Sequence, residues 1–246
     1  MKPATPLHLL LHAGLLLGCL LHAMADPASP ARPAWRFLEI DARSLALHDG
    51  DRPVLVYNHG ILLKPGVPAD RARGSYIHPL HGIDGEVLTD DFPEDHHHHR
   101  GLFWAWPHVA SGGRQFDSWM LKGMENRWES WGARQTNAAA AVLEVRNAWF
   151  AGTERIMTEF LRLTVHPVAD DSRAIDLEFT WTPVAAAIRL AGAEGKSYGG
   201  LTLRYAPGTN TVITTPEGVS RDDLYISRLP WADLSRRWDS GARQGQ

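Results

Sequence analysis

The sequence predicts an all-β fold, an antiparallel β-sandwich. Three observations carry that prediction. Apolar and polar residues alternate with period two over much of the chain, β-branched and aromatic residues fill those segments, and no long amphipathic helix interrupts them. Strands that meander without helices between them argue for two packed sheets rather than an α/β architecture. A chain of 246 residues is of the size that all-β proteins often fold as one domain.

The elements follow in order. Lys2, the leucine-rich stretch from Leu7 to Leu21 and the small-x-small signature Ala23-Met24-Ala25 have the anatomy of a secretory signal peptide over residues 1–25. The apolar run is short of the roughly twenty residues a membrane helix needs, and no later run could cross a bilayer. The protein is therefore expected in the periplasm or outside the cell. Leu16-Leu17-Gly18-Cys19 loosely resembles a lipoprotein cleavage box. Leu17 is unusual at its position there, which makes lipid attachment the less favoured route. Cleavage after Ala25 removes Cys19, the chain's one cysteine. Thiol catalysis and cysteine metal sites are thereby excluded.

Residues 26–33 are rich in proline, alanine and serine and read as a flexible leader. Residues 34–246 are expected to form the single β-sandwich domain. Trp35 to Ile40 alternates, Val54 to Asn58 is a short buried-type run, and Gly101 to Val109 carries Phe103, Trp104 and Trp106. Asn126 to Trp131 spaces its aromatics three apart, so its face is ambiguous. Ala141 to Phe150 and Glu159 to Pro167 are two longer strands, with Gly152-Thr153 suited to the turn between them. Ala174 to Trp181 repeats the alternation with acidic residues outward, as antiparallel strands with one wet face do. Ala185 to Ala193 reads as a loop or one helical turn between Pro183 and Gly195. In Tyr198 to Tyr205 the pair Gly199-Gly200 lets backbone or ligand approach closely.

The chemistry concentrates between Ser75 and Pro107. His78 and His81 come first, then Asp90, Asp91, Glu94 and Asp95, then the run His96 to His99 with Arg100 behind it. Imidazole suits proton transfer near neutral pH and is the commonest metal ligand. If the segment from Asp95 to Arg100 is extended, His96 and His98 share one face with Arg100 while His97 and His99 share the other. A metal would need two or three imidazoles and a carboxylate, which His96, His98, His78 and Asp91 could supply. No H-E-x-x-H helix, nucleophile elbow, P-loop or dinucleotide fingerprint is present, so no nucleotide cofactor is expected. A formal net charge of −3 offers no grip on nucleic acid. The ten tryptophans are mostly core, with some able to serve as platforms for sugar rings.

Several of these pieces resemble a bacterial family labelled methane oxygenase PmoA or PmoA-like. They are Tyr76-Ile77-His78-Pro79-Leu80, Gly85 to Pro93, Asp95-His96 with His98 to Trp106, Asp117-Ser118-Trp119, Tyr198-Gly199-Gly200-Leu201 with Arg204, and Pro230 to Leu234. His97 stands where the family usually has proline. The family would continue with more strands beyond Gln246, which implies a β-sandwich truncated at its C-terminus. The membrane methane monooxygenase subunit has several spanning helices, and this chain offers none, so that chemistry does not carry over. The family resemblance implies an exported β-sandwich associated with carbohydrates.

The favoured expectation is an enzyme acting on a sugar or glycoside, of the epimerase, lyase or hydrolase type. His96, His98 and His99 would shuttle protons and Arg100 would steady negative charge. Tyr76, His78, Trp104, Trp119, Lys196 and Arg204 would bind the small-molecule or glycan substrate. The alternatives are a non-catalytic carbohydrate-binding β-sandwich and a metal-dependent oxygenase, as the family label suggests. Neither the metal's identity nor the oligomeric state is specified by the sequence.

Overall fold

The alternating segments do become strands. The structure, a computed structural model, describes residues 34–196, 198–224 and 226–238. The expected signal peptide and leader lie outside the described residues. All the described regular structure is β apart from a single 3-10 turn at Ala69–Arg71.

Among the described residues sixteen strands follow one another: β1 Trp35–Asp41, β2 Ser44–Asp49, β3 Arg52–Asn58, β4 Tyr76–Leu80, β5 Leu102–Ala105, β6 His108–Ser111, β7 Arg114–Phe116 and β8 Glu125–Thr136. Then come β9 Ala141–Ala151, β10 Glu154–Val165, β11 Ile175–Pro183, β12 Ile188–Ala191, β13 Gly200–Leu203, β14 Gly208–Thr215, β15 Gly218–Ser220 and β16 Asp233–Trp238. The six-stranded sheet runs β1-β2-β3-β4-β5-β13 and the four-stranded sheet β11-β10-β9-β8. Two three-stranded sheets, β12-β6-β7 and β15-β14-β16, complete the set. The pairings are antiparallel.

The main core is the seam of a sandwich. Leu45, Leu47, Leu55, Tyr57 and Ile77 of the larger sheet pack against Leu143, Val145, Leu161, Leu163 and Val165 of the four-stranded one. β10 supplies its residues from alternate positions, as the period-two pattern requires. Glu159 breaks that pattern by occupying a core position at 1% exposure. Its Oε2 accepts the indole N–H groups of Trp104, Trp149 and Trp181, each at 2.9 Å, and Oε1 accepts Asn147 Nδ2 at 2.9 Å. Four donors replace the water that a carboxylate loses on burial.

Two segments depart from expectation. The stretch Ala185–Ala193 is neither loop nor helical turn: it contains β12, which pairs with β6. A neighbouring strand with open hydrogen-bonding groups outweighs the helix preference of alanine. The segment Gly101–Val109 is not one strand but two, β5 and β6, separated at Trp106-Pro107, where proline cannot continue the ladder.

Strand β5 sets the stage for the site because both its faces are buried. Leu102 and Trp104 point into the sandwich core. Phe103 and Ala105 point the other way and join Tyr76 and Trp119 in a separate small cluster. The histidine segment lies over that second cluster.

Candidate functional site

The histidine run is not extended. Pro93 and the polar residues after it favour turning, and the His96 N–H donates to the Pro93 carbonyl at 3.0 Å and the His99 N–H to the His96 carbonyl at 2.8 Å. The expected split into alternate faces therefore fails. Instead the rings of His96 and His99 stack, with centroids 4.8 Å apart and planes 6° apart, and His98 stands edge-on to both at 5.6 and 4.5 Å.

Arg100 makes this turn possible. Its side chain is fully buried. Nη1 donates to the carbonyls of His97 and His99 at 3.0 and 3.1 Å, and Nη2 donates to the Arg71 carbonyl. Nε faces Asp91 Oδ1 at 3.6 Å, and the guanidinium lies 3.1 Å from the Phe92 ring centroid. Phe92 holds a positive φ of 54° to present its ring there. Arg100, expected to meet developing negative charge on a substrate, is occupied in tying the loop to the body of the protein.

Asp91 accepts the Tyr76 hydroxyl at 3.1 Å. Burial pushes the Asp91 carboxyl up to about 6, against the pull of Arg100 and the Tyr76 hydrogen bond. Tyr76 is buried, and burial together with Asp91 raises its phenol well above the usual range. His78 Nδ1 meets Thr89 Oγ1 at 3.0 Å, and burial lowers its imidazole to about 4, helped by His81 and Arg100. These residues form a layer beneath the loop.

The outer layer is aromatic. The His99 and His98 rings lie 5.5 and 6.3 Å from Trp119, and Trp119 lies 4.8 Å from Tyr198 at an interplanar angle of 34°. Trp119 is itself buried while Tyr198 is exposed at the edge. Lys196 sits with its Nζ 5.8 Å from the Tyr198 ring. On the far side Asp95 bonds His96 Nδ1 at 2.9 Å and Arg204 Nη2 at 2.8 and 3.0 Å. The structure therefore links His96, His98, His99, Trp119, Lys196 and Arg204 along one continuous face, with Arg100, Tyr76 and His78 behind it. Trp104 does not join them. The strand pleat turns it to the opposite side of β5, where its indole is held by Glu159 and its ring packs on Phe179 at 4.7 Å.

A family model described as "Family of unknown function (DUF6807)" matches residues 44–244. The chain belongs to that family. No curated protein and no solved structure matches it. Nothing in the match connects the DUF6807 chain with the PmoA label, so the relationship stands at the level of this family alone.

The electrostatics of this DUF6807 face favour neutral imidazoles. Burial lowers His98 to about 4, assisted by His96 and the guanidinium groups of Arg73 and Arg71. Burial lowers His99 to about 3, assisted by His98, His96 and Arg204. Among the described residues no side chain hydrogen-bonds either ring. At neutral pH both rings therefore carry an unshared lone pair and act as acceptors.

The same geometry does not suit a resident metal. Among the described residues no three His, Cys, Asp or Glu side chains converge to hold one. The imidazoles meet ring to ring, His78 turns to Thr89, and Asp91 turns to Tyr76 and Arg100. The donor set His96, His98, His78 and Asp91 does not assemble.

Two features escaped sequence reasoning. Asp95 bridges His96 to Arg204 across 109 positions of chain, a pairing with no local signal. Arg73 is 6% exposed although nothing around it in sequence marks it as buried.

Proposed function

We propose that this protein is an exported enzyme acting on a sugar or glycoside, in which His98 or His99 takes a proton from the substrate. The observation that carries the reading is the pair of half-buried imidazoles, His98 and His99, that no side chain among the described residues hydrogen-bonds and that stand against the Trp119 ring. A base must reach a substrate atom and works best with a pKa near the working pH, so His98, the less lowered of the two, is the better placed. Tyr198 at the edge of Trp119 supplies apolar ring surface of the kind that suits the flat face of a sugar. Lys196 and Arg204 stand at opposite ends of the wall as hydrogen-bond donors. Arg100 acts as a positioning residue, because its donors are spent on the loop's own carbonyls.

The test is turnover of a panel of oligosaccharides and free sugars followed by proton NMR. His98→Ala and His99→Ala should abolish turnover while thermal unfolding stays cooperative. Turnover equal to wild type in both variants would remove the proposal.

The close Trp119–Tyr198 ring pair, tilted by 34°, favours a second reading, a non-catalytic carbohydrate-binding protein. Under it, glycan affinity survives both histidine variants and drops in Tyr198→Ala, with no turnover in any form.

A further inference from the structure

Behind the Trp119 segment lies a small chamber of about 20 Å³, lined in part by Arg73, Ser75, Phe103, Trp104 and Asn126. That exceeds the minimum of about 10–15 Å³ that a single water needs on the same measure. Two buried polar atoms of its lining residues, Arg73 Nη1 and Asn126 Oδ1, have no hydrogen-bond partner among the described residues, and the Ser75 hydroxyl meets the Tyr57 phenol, which itself accepts Asn147 Nδ2, so that the serine proton is left to donate. Arg73 and Ser75 are 6% and 4% exposed.

Arg73 spends its Nη2 on backbone, donating to the Trp119 carbonyl at 3.0 Å and to the Ser118 carbonyl. Its guanidinium lies 5.1 Å from the Phe103 ring centroid. Among the described residues no carboxylate forms an ion pair with it. Burial pushes the guanidinium down to about 9, with Arg100 adding to the effect and Asp117 and Tyr76 opposing it. A buried cation without a counter-ion is costly, because removal from water is not repaid by an opposite charge.

A wider hollow adjoins the chamber. A surface hollow of about 430 Å³ shares Ile61, Ala72, Leu121, Met124 and Glu125 with it. Glu125 does not repel an anion strongly, since Arg127 Nε holds its carboxylate at 2.6 Å. The other shared residues are apolar, and Asp70, which lines the hollow, is offset by Arg71 Nη2 at 3.3 Å.

We propose that Arg73, Ser75 and Asn126 form a binding site for a small monovalent anion, the carboxylate of a formate-sized acid or a halide of similar radius. Arg73 Nη1 and the Ser75 hydroxyl donate to the anion. Rotation of the Asn126 amide offers Nδ2 as a third donor. A water molecule would meet the hydrogen-bonding groups but leave the charge uncompensated. Sulfate and phosphate exceed the chamber. The anion would also brace the segment carrying Trp119, because Arg73 holds the carbonyls of Ser118 and Trp119.

The experiment uses the whole folded chain in sulfate buffer of constant ionic strength. Sodium formate and sodium chloride are titrated separately, following the thermal midpoint and the 35Cl NMR line width. The midpoint should rise saturably with either anion, and formate should sharpen the chloride line that the protein broadens. Ser75→Ala should weaken formate about tenfold, as loss of one hydrogen bond to a charged group implies. Ala72→Phe, which adds bulk where the hollow adjoins the chamber and leaves the guanidinium in place, should abolish the broadening. A midpoint unmoved by either anion and an unbroadened chloride line would overturn the proposal, as would broadening that persists undiminished in both variants.

Discussion

Arg100→Lys separates a staple from a catalytic cation. The guanidinium donates to three backbone carbonyls, faces Asp91 and lies on the Phe92 ring. A lysine ammonium is a point charge that cannot span those directions. It can keep one carbonyl, leaving two buried acceptors unpaired at about 1–3 kcal/mol each. The loss of the stacked cation adds about 1 kcal/mol. The sum, about 3–7 kcal/mol, brackets the roughly 3–5 kcal/mol that breaking a buried pair usually costs. It is a large part of the roughly 5–15 kcal/mol by which domains are stable. Urea unfolding followed by tryptophan fluorescence measures it directly. The reasoning also requires that activity and stability fall together, because the loop carrying His98 and His99 loosens. A variant that loses activity while staying within about 1 kcal/mol of wild-type stability would refute it and return Arg100 to the chemistry.

The remaining predictions concern pH, backbone packing and the core. Unfolded histidine titrates near 6.5, whereas folded His78 and His98 titrate near 4 and His99 near 3. Within that window the unfolded chain binds more protons, so stability rises with pH and is lost on acidification below about 6.5. Asp91, raised to about 6, opposes this: the folded chain holds its proton longer, which costs stability as pH rises from about 4 to 6. Three imidazoles outweigh one carboxyl, so thermal midpoints should drop from pH 6.5 to 4, and less steeply in the double variant His98→Asn, His99→Asn. A flat profile would contradict the burial of these rings. Gly101→Ala should cost about 2 kcal/mol, since the new Cβ would strike the Ile77 carbonyl oxygen and lie 2.8 Å from His78 Cβ; urea unfolding checks it. Glu159→Leu should destabilise by about 3 kcal/mol more than Glu159→Gln, because leucine leaves three indole N–H groups without an acceptor. Equal midpoints for the two variants would mean that those indoles find other partners.

Alternation along Ala141–Phe150, Glu159–Pro167 and Ala174–Trp181 was enough to place β9, β10 and β11, because strand periodicity is a local property written in neighbouring residues. The density of imidazoles from His96 to His99 likewise marked where to look. Local pattern could not say how that segment bends. The turns depend on Arg100 reaching the Arg71 carbonyl, 29 positions away. Nor could it say which tryptophan faces the site: Trp104 and Phe103 are adjacent, and pairing with β4 and β13 decided that Phe103 lies beneath the histidines and Trp104 in the sandwich.

By itself, then, the chain determined its class of structure and the segment where its titratable groups gather, since period-two burial and composition are carried residue by residue. Only the tertiary structure decided that Arg100 donates to three backbone carbonyls, that Glu159 collects three indoles, and that Arg73 is a buried cation with no carboxylate paired to it among the described residues. Each of those depends on partners brought together across sheets, and burial, which sets the cost of a charge, exists only once the sheets have packed.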